Sequence, residues 1–220
     1  TEAARIMFEN GTDVYKITNL LSAGLLGIEK NRKFVPTRWA ITATDDMLCS
    51  SYKAEVLRCP ALPEYEVFCD TLHGNTLCFI LIPSNDWRFE MIERWQKKSL
   101  WADDEETIIV DGEKGKTKRE YSPIGGAYYA ARLAVLEYLY SRKACARVIC
   151  IRDISGEYWA PLGVWVIREA SHAALAKNPN RFGTLSEAVT AASTALDTSF
   201  WISRMGLLRD IRQQKTLFDF

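Results

Sequence analysis

The sequence lacks an excess of charge of either sign, since 28 Lys and Arg residues balance 28 Asp and Glu residues. This balance argues against a protein whose affinity comes mainly from neutralising many nucleic-acid phosphates, so any contact with DNA must be local. No apolar run reaches the roughly 20 residues that a membrane span requires. Because 48% of the residues are hydrophobic, an ordinary share for a globular chain, the composition indicates a soluble globular protein.

Cysteine and histidine are both scarce. The cysteines are Cys49, Cys59, Cys69, Cys78, Cys145 and Cys150. They form no C-x-x-C pair and lie mostly in apolar or alternating stretches, so we expect buried, reduced thiols in a cytoplasmic protein. Structural zinc needs four N or S ligands in compact pairs, whereas His73 and His172 lie far apart in sequence. We therefore expect no metal site within this chain.

Hydrophobic periodicity predicts an α+β (mixed) fold, with a central, mostly antiparallel sheet packed by an apolar helix and with a helical C-terminal region. The clearest helix is 125–139, which is apolar nearly all round and is therefore expected in the core. The turn residues His73-Gly74-Asn75 predict a hairpin. The other predicted helices are 14–25, 47–57, 184–196 and 199–212. The predicted strands are 64–72, 76–83, 107–110, 146–151 and 164–167. The segment 32–46 is predicted to be an irregular loop, and 87–95 stays open between helix and strand.

The end of the sequence matches the sliding-clamp-binding peptide known as the PIP box. Its three fixed positions are Gln214, Leu217 and Phe220, and Phe218 is an auxiliary contact. In such peptides one turn of tight helix brings the fourth and seventh positions onto one face, which fills an apolar pocket. The usual second aromatic after the first is absent, so we expect an affinity near the micromolar level, about −8 kcal/mol. We predict an exposed clamp-binding tail over 213–220 beside a single mixed α/β domain over 1–212; the alternative is a tail folded back on that domain.

Arginines in apolar or aromatic company form a candidate anion- or nucleotide-binding set. The members of this set are Arg38, Trp39, Arg132, Arg152 and Arg168. A buried guanidinium must be paired, because an isolated charge in a low dielectric is prohibitively costly. The acids that are available as partners are Asp45, Glu137, Asp153 and Glu169. Structural ion pairs and a shared anion site therefore both stay open.

Other features carry weaker signals. Gly125-Gly126 before the core helix brings backbone N–H groups toward a phosphate, or only permits tight packing. Two basic runs are candidates for weak, direct DNA contact, although such runs are more often solvated faces; they are Lys30, Arg32 and Lys33, and Lys114, Lys116, Lys118 and Arg119. No nucleophile or metal motif occurs, and no spacing selects a pair of carboxylates. Catalytic residues therefore stay unknown.

Three long segments carry a family resemblance. They read FVPTRWAITATDD at 34–46, GGAYYAARLAVLE at 125–137 and PLGVWVIRE at 161–169. In these segments the sequence resembles the archaeal NreA family of DNA repair proteins. The resemblance implies a role in the DNA damage response through recruitment to the replication clamp PCNA, and it implies no particular reaction. The lack of an initiator methionine and an opening, 1–5, that is typical of mid-helix lead us to expect a fragment of a longer protein. The resemblance also implies a cysteine-rich, zinc-binding segment near the N-terminus, which this chain lacks. Either the fragment begins after that segment, so that zinc lies in the missing part, or this member of the family differs.

Two functions follow from these observations. The first is a DNA repair protein that PCNA holds close to DNA. The alternative is a nucleotide-binding or nucleotide-processing enzyme in which the four arginines hold an anion and Asp45 acts as base. A nucleotide-dependent melting shift separates them, since a ligand at a hundred times its Kd stabilises a protein by about 2.7 kcal/mol.

Overall fold

A computed structural model describes residues 2–28, 30, 32–115, 118 and 120–213 of the chain. Within these residues the elements follow in the order α1 (Glu2–Glu9), α2 (Val14–Ser22), α3 (Thr37–Val56), β1 (Tyr65–Leu72), β2 (Asn75–Pro83), β3 (Arg88–Trp95), β4 (Thr107–Lys114), α4 (Gly126–Arg142), β5 (Ala146–Ile154), α5 (Val164–Leu175), β6 (Asn180–Phe182), α6 (Leu185–Leu196) and α7 (Gly206–Gln213).

The six strands form one sheet in the order β4-β3-β5-β2-β1-β6. Among the strands of the described residues, only β3 and β5 run parallel, with Met91 opposite Cys150, and the other neighbours are antiparallel. The predicted α+β fold with a mostly antiparallel sheet is therefore confirmed. Because β3 pairs with both β4 and β5, the two halves of the chain build one continuous sheet.

Helices cover both faces of this sheet. Successive residues of a strand point to opposite faces, so Phe89 of β3 enters the cluster of α3, α4 and α5, whereas Ile92 enters the cluster of α6 and α7. Helix α4 is buried along most of its length because α3 and α5 flank it and the sheet lies beneath it. The ring of Tyr128 meets that of Phe89 edge to face, with 5.1 Å between centroids. The apolar core helix predicted from the sequence is confirmed.

The hairpin of β1 and β2 is also confirmed. His73 and Gly74 both have positive φ in its turn, and a side chain at Gly74 would meet the backbone N of Tyr158 at 2.5 Å. The hairpin register places Cys69 opposite Cys78, and the two form a disulfide. The expectation that all cysteines are reduced is therefore wrong for this pair, because strand pairing brings together thiols that are nine residues apart.

Residues 164–167 are helical, so the predicted strand there is wrong. They begin α5, in which the buried residues Ile167, Ala170 and Ala174 recur at helical spacing. Periodicity in a four-residue apolar run does not distinguish a strand from a buried helix. Arg168 consequently lies on a helix and not at a strand end.

Two further boundaries differ from the predictions. Helix α3 begins at Thr37, so the predicted loop over 32–46 is wrong from that residue onward; Thr44 and Asp45 are buried inside the helix. The predicted helix 199–212 is helical only from Gly206, after a stretch of turns. The open segment 87–95 is strand β3.

Candidate functional site

The proposed clamp-binding residues Gln214, Leu217, Phe218 and Phe220 lie outside the described residues. The structure describes the chain up to Gln213, which is exposed at the end of α7. Helix α7 is anchored by buried leucines, and Glu90 accepts hydrogen bonds from the backbone N of Gly206 and Leu207 at 2.8 and 2.6 Å. The segment that precedes the motif is therefore firmly attached to the sheet.

Arg132, in the middle of α4, is at the centre of a buried charge cluster. It donates to Glu113 Oε2 and to Asp46 Oδ1, both at 2.5 Å. Glu113 also accepts from Lys53 Nζ at 2.9 Å and from Trp87 Nε1 at 2.7 Å. We name Lys53, Trp87, Glu113 and Arg132 the Glu113 cluster.

Electrostatics keep Glu113 ionised. Burial would raise the pKa of this carboxyl, but the adjacent charges of Arg132 and Lys53 outweigh burial and lower its pKa below the usual value. The pKa of Arg132 is raised despite burial, because the neighbouring groups Cys49, Glu113 and Asp46 favour its charged form. The cluster is therefore a charged structural network in which two cations share one carboxylate.

Arg168 of α5 forms a second ion pair. Its Nη2 lies 2.5 and 2.7 Å from the two oxygens of Asp45, which is fully buried. The guanidinium also lies 5.1 Å from the ring centroid of Tyr15. Burial raises the pKa of Asp45 to about 6, although Arg168 opposes this change. Asp45 is thus bound to Arg168 and is not free to act as a base on a ligand.

Arg152 of β5 lies in a different place, at the carboxyl ends of the two parallel strands. Its Nη1 lies 2.5 Å from Glu93 Oε2, and its Nε and Nη2 donate to Asn75 Oδ1 at 3.0 and 2.6 Å. Above this pair is a cavity of 420 Å³, the strand-end crevice. Its walls include Trp95, Trp101, Tyr158, Val164 and Ile167. Although the crevice lies where parallel strands often present ligand sites, a carboxylate and an amide already hold its arginine.

Gly126 at the start of α4 borders the strand-end crevice. A Cβ atom at this glycine would lie 2.4 Å from Cγ2 of Val164 on α5. The close approach of the two helices therefore accounts for this glycine, which favours the packing interpretation over phosphate binding.

Arg38 and Trp39 lie in the first turn of α3 and are both exposed. They line a cavity of 610 Å³, which we name the α3 cavity. Its other residues include Thr42, Asp46, Tyr121 and Tyr129. Arg38 and Trp39 line this cavity, and Arg132 lies beside it because it forms an ion pair with Asp46 of the lining. Three of the five predicted residues therefore come together here.

The structure does not bring all the predicted arginines to one site. Arg132, Arg152 and Arg168 have separate carboxylate partners, and of the acids proposed from the sequence only Asp45 pairs with one of them. Asp153 instead binds Arg94 at 2.8 and 2.7 Å, and Glu137 binds His172. Binding of an anion by the individual arginines stays a prediction.

Sequence reasoning missed several residues of these sites. Glu93 and Glu113 were not selected. Glu93 takes an apolar position in the alternating series of Phe89, Met91 and Trp95 in β3, a pattern that signals a buried, paired charge. Glu113 lies in the polar end of β4, where no such pattern marks it. Tyr121 lies two positions after the basic run that ends at Arg119, and that proximity of aromatic and cationic residues was the available signal for the α3 cavity.

The described residues contain neither a cluster of metal ligands nor a helix able to span a membrane. Among the described residues between 2 and 213, no group of three His, Cys, Asp or Glu side chains lies close enough together to hold a metal ion. In the same part of the chain, no helix combines the length and the apolar character needed to cross a membrane.

The fold and its cavities define an α+β domain with buried ion pairs and an aromatic, basic surface cavity. Family models described as archaeal Nre, N-terminal, and archaeal Nre, C-terminal, match residues 1–102 and 113–220. The chain belongs to this archaeal Nre family, which confirms the resemblance noted in the sequence. Both matched parts contribute strands to the single sheet.

Individual relatives agree with this assignment. The chain is 40% identical to DNA repair protein NreA of Archaeoglobus fulgidus over 200 residues, and these aligned residues cover 91% of the chain and 51% of the relative. It is 35% identical over 219 residues to DNA repair protein NreA of Haloferax volcanii, covering 98% of the chain and 50% of the relative. DNA repair protein NreB of A. fulgidus is 36% identical over 222 residues, covering 100% of the chain and 56% of the relative. The chain spans about half the length of these relatives, and no solved structure matches it.

Proposed function

We propose that this chain acts in DNA repair and that the sliding clamp PCNA recruits it to DNA. The names of the relatives, DNA repair proteins NreA and NreB, support the repair role. The observation that carries the recruitment is the spacing of Gln214, Leu217 and Phe220 in the last seven residues, directly after the exposed end of α7.

Tethering explains how a chain with no net charge acts on DNA. A clamp that encircles the duplex raises the local concentration of whatever binds it, so the domain needs little affinity of its own. The anchoring of α7 by Glu90 fixes where this tether begins on the domain. A short attachment of this kind keeps the domain near the DNA.

The test is a calorimetric titration of the whole chain into its cognate PCNA. We expect binding near the micromolar level, about −8 kcal/mol, and its loss in Leu217→Ala/Phe220→Ala. Phe34→Ala is the matched control, because Phe34 is 88% exposed and lies outside the motif. Absence of binding by the wild-type chain, or undiminished binding by the double variant, would contradict recruitment through the tail.

The nucleotide-processing alternative has less support. Carboxylates bind three of its four arginines, and its proposed base Asp45 is one of those carboxylates. An anion at these arginines would have to displace buried ion pairs, which is costly.

A further inference from the structure

The α3 cavity is lined by aromatic side chains that are largely exposed to solvent. Trp39 is 60% and Tyr121 is 65% exposed, and both line the cavity. The ring of Tyr121 lies 5.5 Å from that of Tyr129, with 32° between their planes, so Tyr121 is held against a buried neighbour. Large exposed aromatics are costly to leave in water and mark binding surfaces when they cluster.

The segment that leads into Trp39 is rich in positive charge. Four of the ten residues from 30 to 39 are basic and none is acidic, whereas the whole chain has no net charge. Among the described residues, neither Lys33 nor Arg38 has a carboxylate within ion-pair distance. The guanidinium of Arg38 lies 5.8 Å from the ring centroid of Trp39. A guanidinium at the cavity without a carboxylate partner among the described residues favours an anionic ligand.

The acid that lines the cavity does not oppose such a partner. Asp46 is the one acidic residue among the described residues of the lining. Its Oδ1 lies 2.5 Å from Nη2 of the buried Arg132. This ion pair offsets the negative charge that would otherwise repel a phosphate at the cavity mouth.

We propose that the α3 cavity binds an unpaired base of single-stranded DNA, with the base stacked on Trp39 and Tyr121 and with Arg38 on a flanking phosphate. Binding sites for single strands combine cationic grooves with aromatic side chains, because every base has a face that can stack. A duplex keeps its bases stacked inside and offers only phosphates to this surface. The choice of DNA rests on the proposed repair function.

The test measures the affinity of the whole chain for a fluorescent oligothymidylate of about 15 nucleotides by anisotropy, within the range of known single-strand site sizes. Trp39→Ala and Tyr121→Ala should each weaken binding about 5- to 150-fold, because stacking contributes about 1–3 kcal/mol per base. Both side chains are mostly exposed, so the variants should keep the wild-type melting temperature. Trp159→Ala is the matched control, since Trp159 is 81% exposed and does not line the cavity.

Salt dependence separates the role of the cation from that of the rings. Arg38→Gln should reduce the slope of log K against log salt by about 0.7, the value for one phosphate of a single strand. Trp39→Ala should leave that slope unchanged.

Three results would overturn the proposal: no binding by the wild-type chain at low salt, an equal loss in Trp159→Ala, or equal affinity for a blunt duplex that Trp39→Ala does not reduce. Leu217→Ala/Phe220→Ala should bind the oligonucleotide as the wild type does. Failure of clamp binding and failure of strand binding are therefore distinguishable.

Discussion

Glu113→Gln is the sharpest test of the buried charge network. In the Glu113 cluster the carboxylate accepts hydrogen bonds from Lys53, Trp87 and Arg132 at 2.9, 2.7 and 2.5 Å. The substitution keeps the shape of the side chain and removes its charge. Lys53 and Arg132 would then remain as buried cations without the carboxylate that they share.

The expected loss is large because the partners are almost inaccessible to water. The side chains of Lys53 and Arg132 are 4% and 1% exposed, and that of Glu113 is 2% exposed. Removing one partner of a buried ion pair costs about 3–5 kcal/mol. For a chain of this size each kcal/mol lowers the melting temperature by about 2–4 °C, so we expect a decrease of roughly 6–20 °C.

Urea denaturation at neutral pH measures the effect, with Glu137→Gln as the matched control. Glu137 pairs with His172, whose side chain is 41% exposed, so its loss should cost at most about 1 kcal/mol. The pKa of Glu113 is lower in the folded state than its unfolded value of 4.5. Its contribution to the free energy of unfolding is therefore present above pH 4.5 and disappears as the pH falls through the folded-state pKa. Two results would refute this reasoning. The first is that Glu113→Gln lowers the free energy of unfolding at neutral pH no more than Glu137→Gln does. The second is that the difference in free energy of unfolding between the wild type and Glu113→Gln widens in acid.

Two further predictions concern the helical layer. Gly126→Ala places a Cβ 2.4 Å from Cγ2 of Val164, and such overpacking should cost about 1–3 kcal/mol in thermal unfolding; Val164→Ala in the same chain should recover part of this loss, and an unchanged melting temperature for Gly126→Ala alone would disprove the contact. The hydrogen bond to Glu137 raises the pKa of His172 above 6.5, so their pairing stabilises the fold below that pH and the stabilisation is lost as the pH rises through the folded pKa. Glu137→Gln should therefore destabilise the protein more near pH 6 than near pH 9, where His is neutral, and an effect independent of pH would show that His172 is not charged.

Local sequence patterns determined several elements of this protein. The hairpin follows from strand-like segments on both sides of the turn residues His73-Gly74-Asn75, and α4 follows from a long apolar segment with helix-forming residues. Helix α6 agrees with the predicted helix 184–196, and the structure shows that Thr184 and Glu187 form a capping box at its start. These features depend on residues within a few positions of one another, so the sequence alone is enough to predict them.

Short and ambiguous segments were decided by packing. The apolar run at 164–167 is compatible with a strand, but it continues into a helix whose buried face covers β1 and β2. The polar residues of α3 suggested a loop, yet contacts with α2 and α4 stabilise a helix from Thr37 onward. In both segments the tertiary environment outweighed the local preference.

The sequence by itself determined the family, because long contiguous segments carry it, and it determined the fold class through the periodicity of its apolar residues; the clamp-binding motif stays a prediction. Only the tertiary structure decided which acid neutralises each arginine, since Asp46 is 86 residues from Arg132 and Asp45 is 123 residues from Arg168. Only the tertiary structure brought Trp39 beside Tyr121 to form the α3 cavity. Charge pairs and cavities depend on which helices pack together, and no local pattern specifies that arrangement.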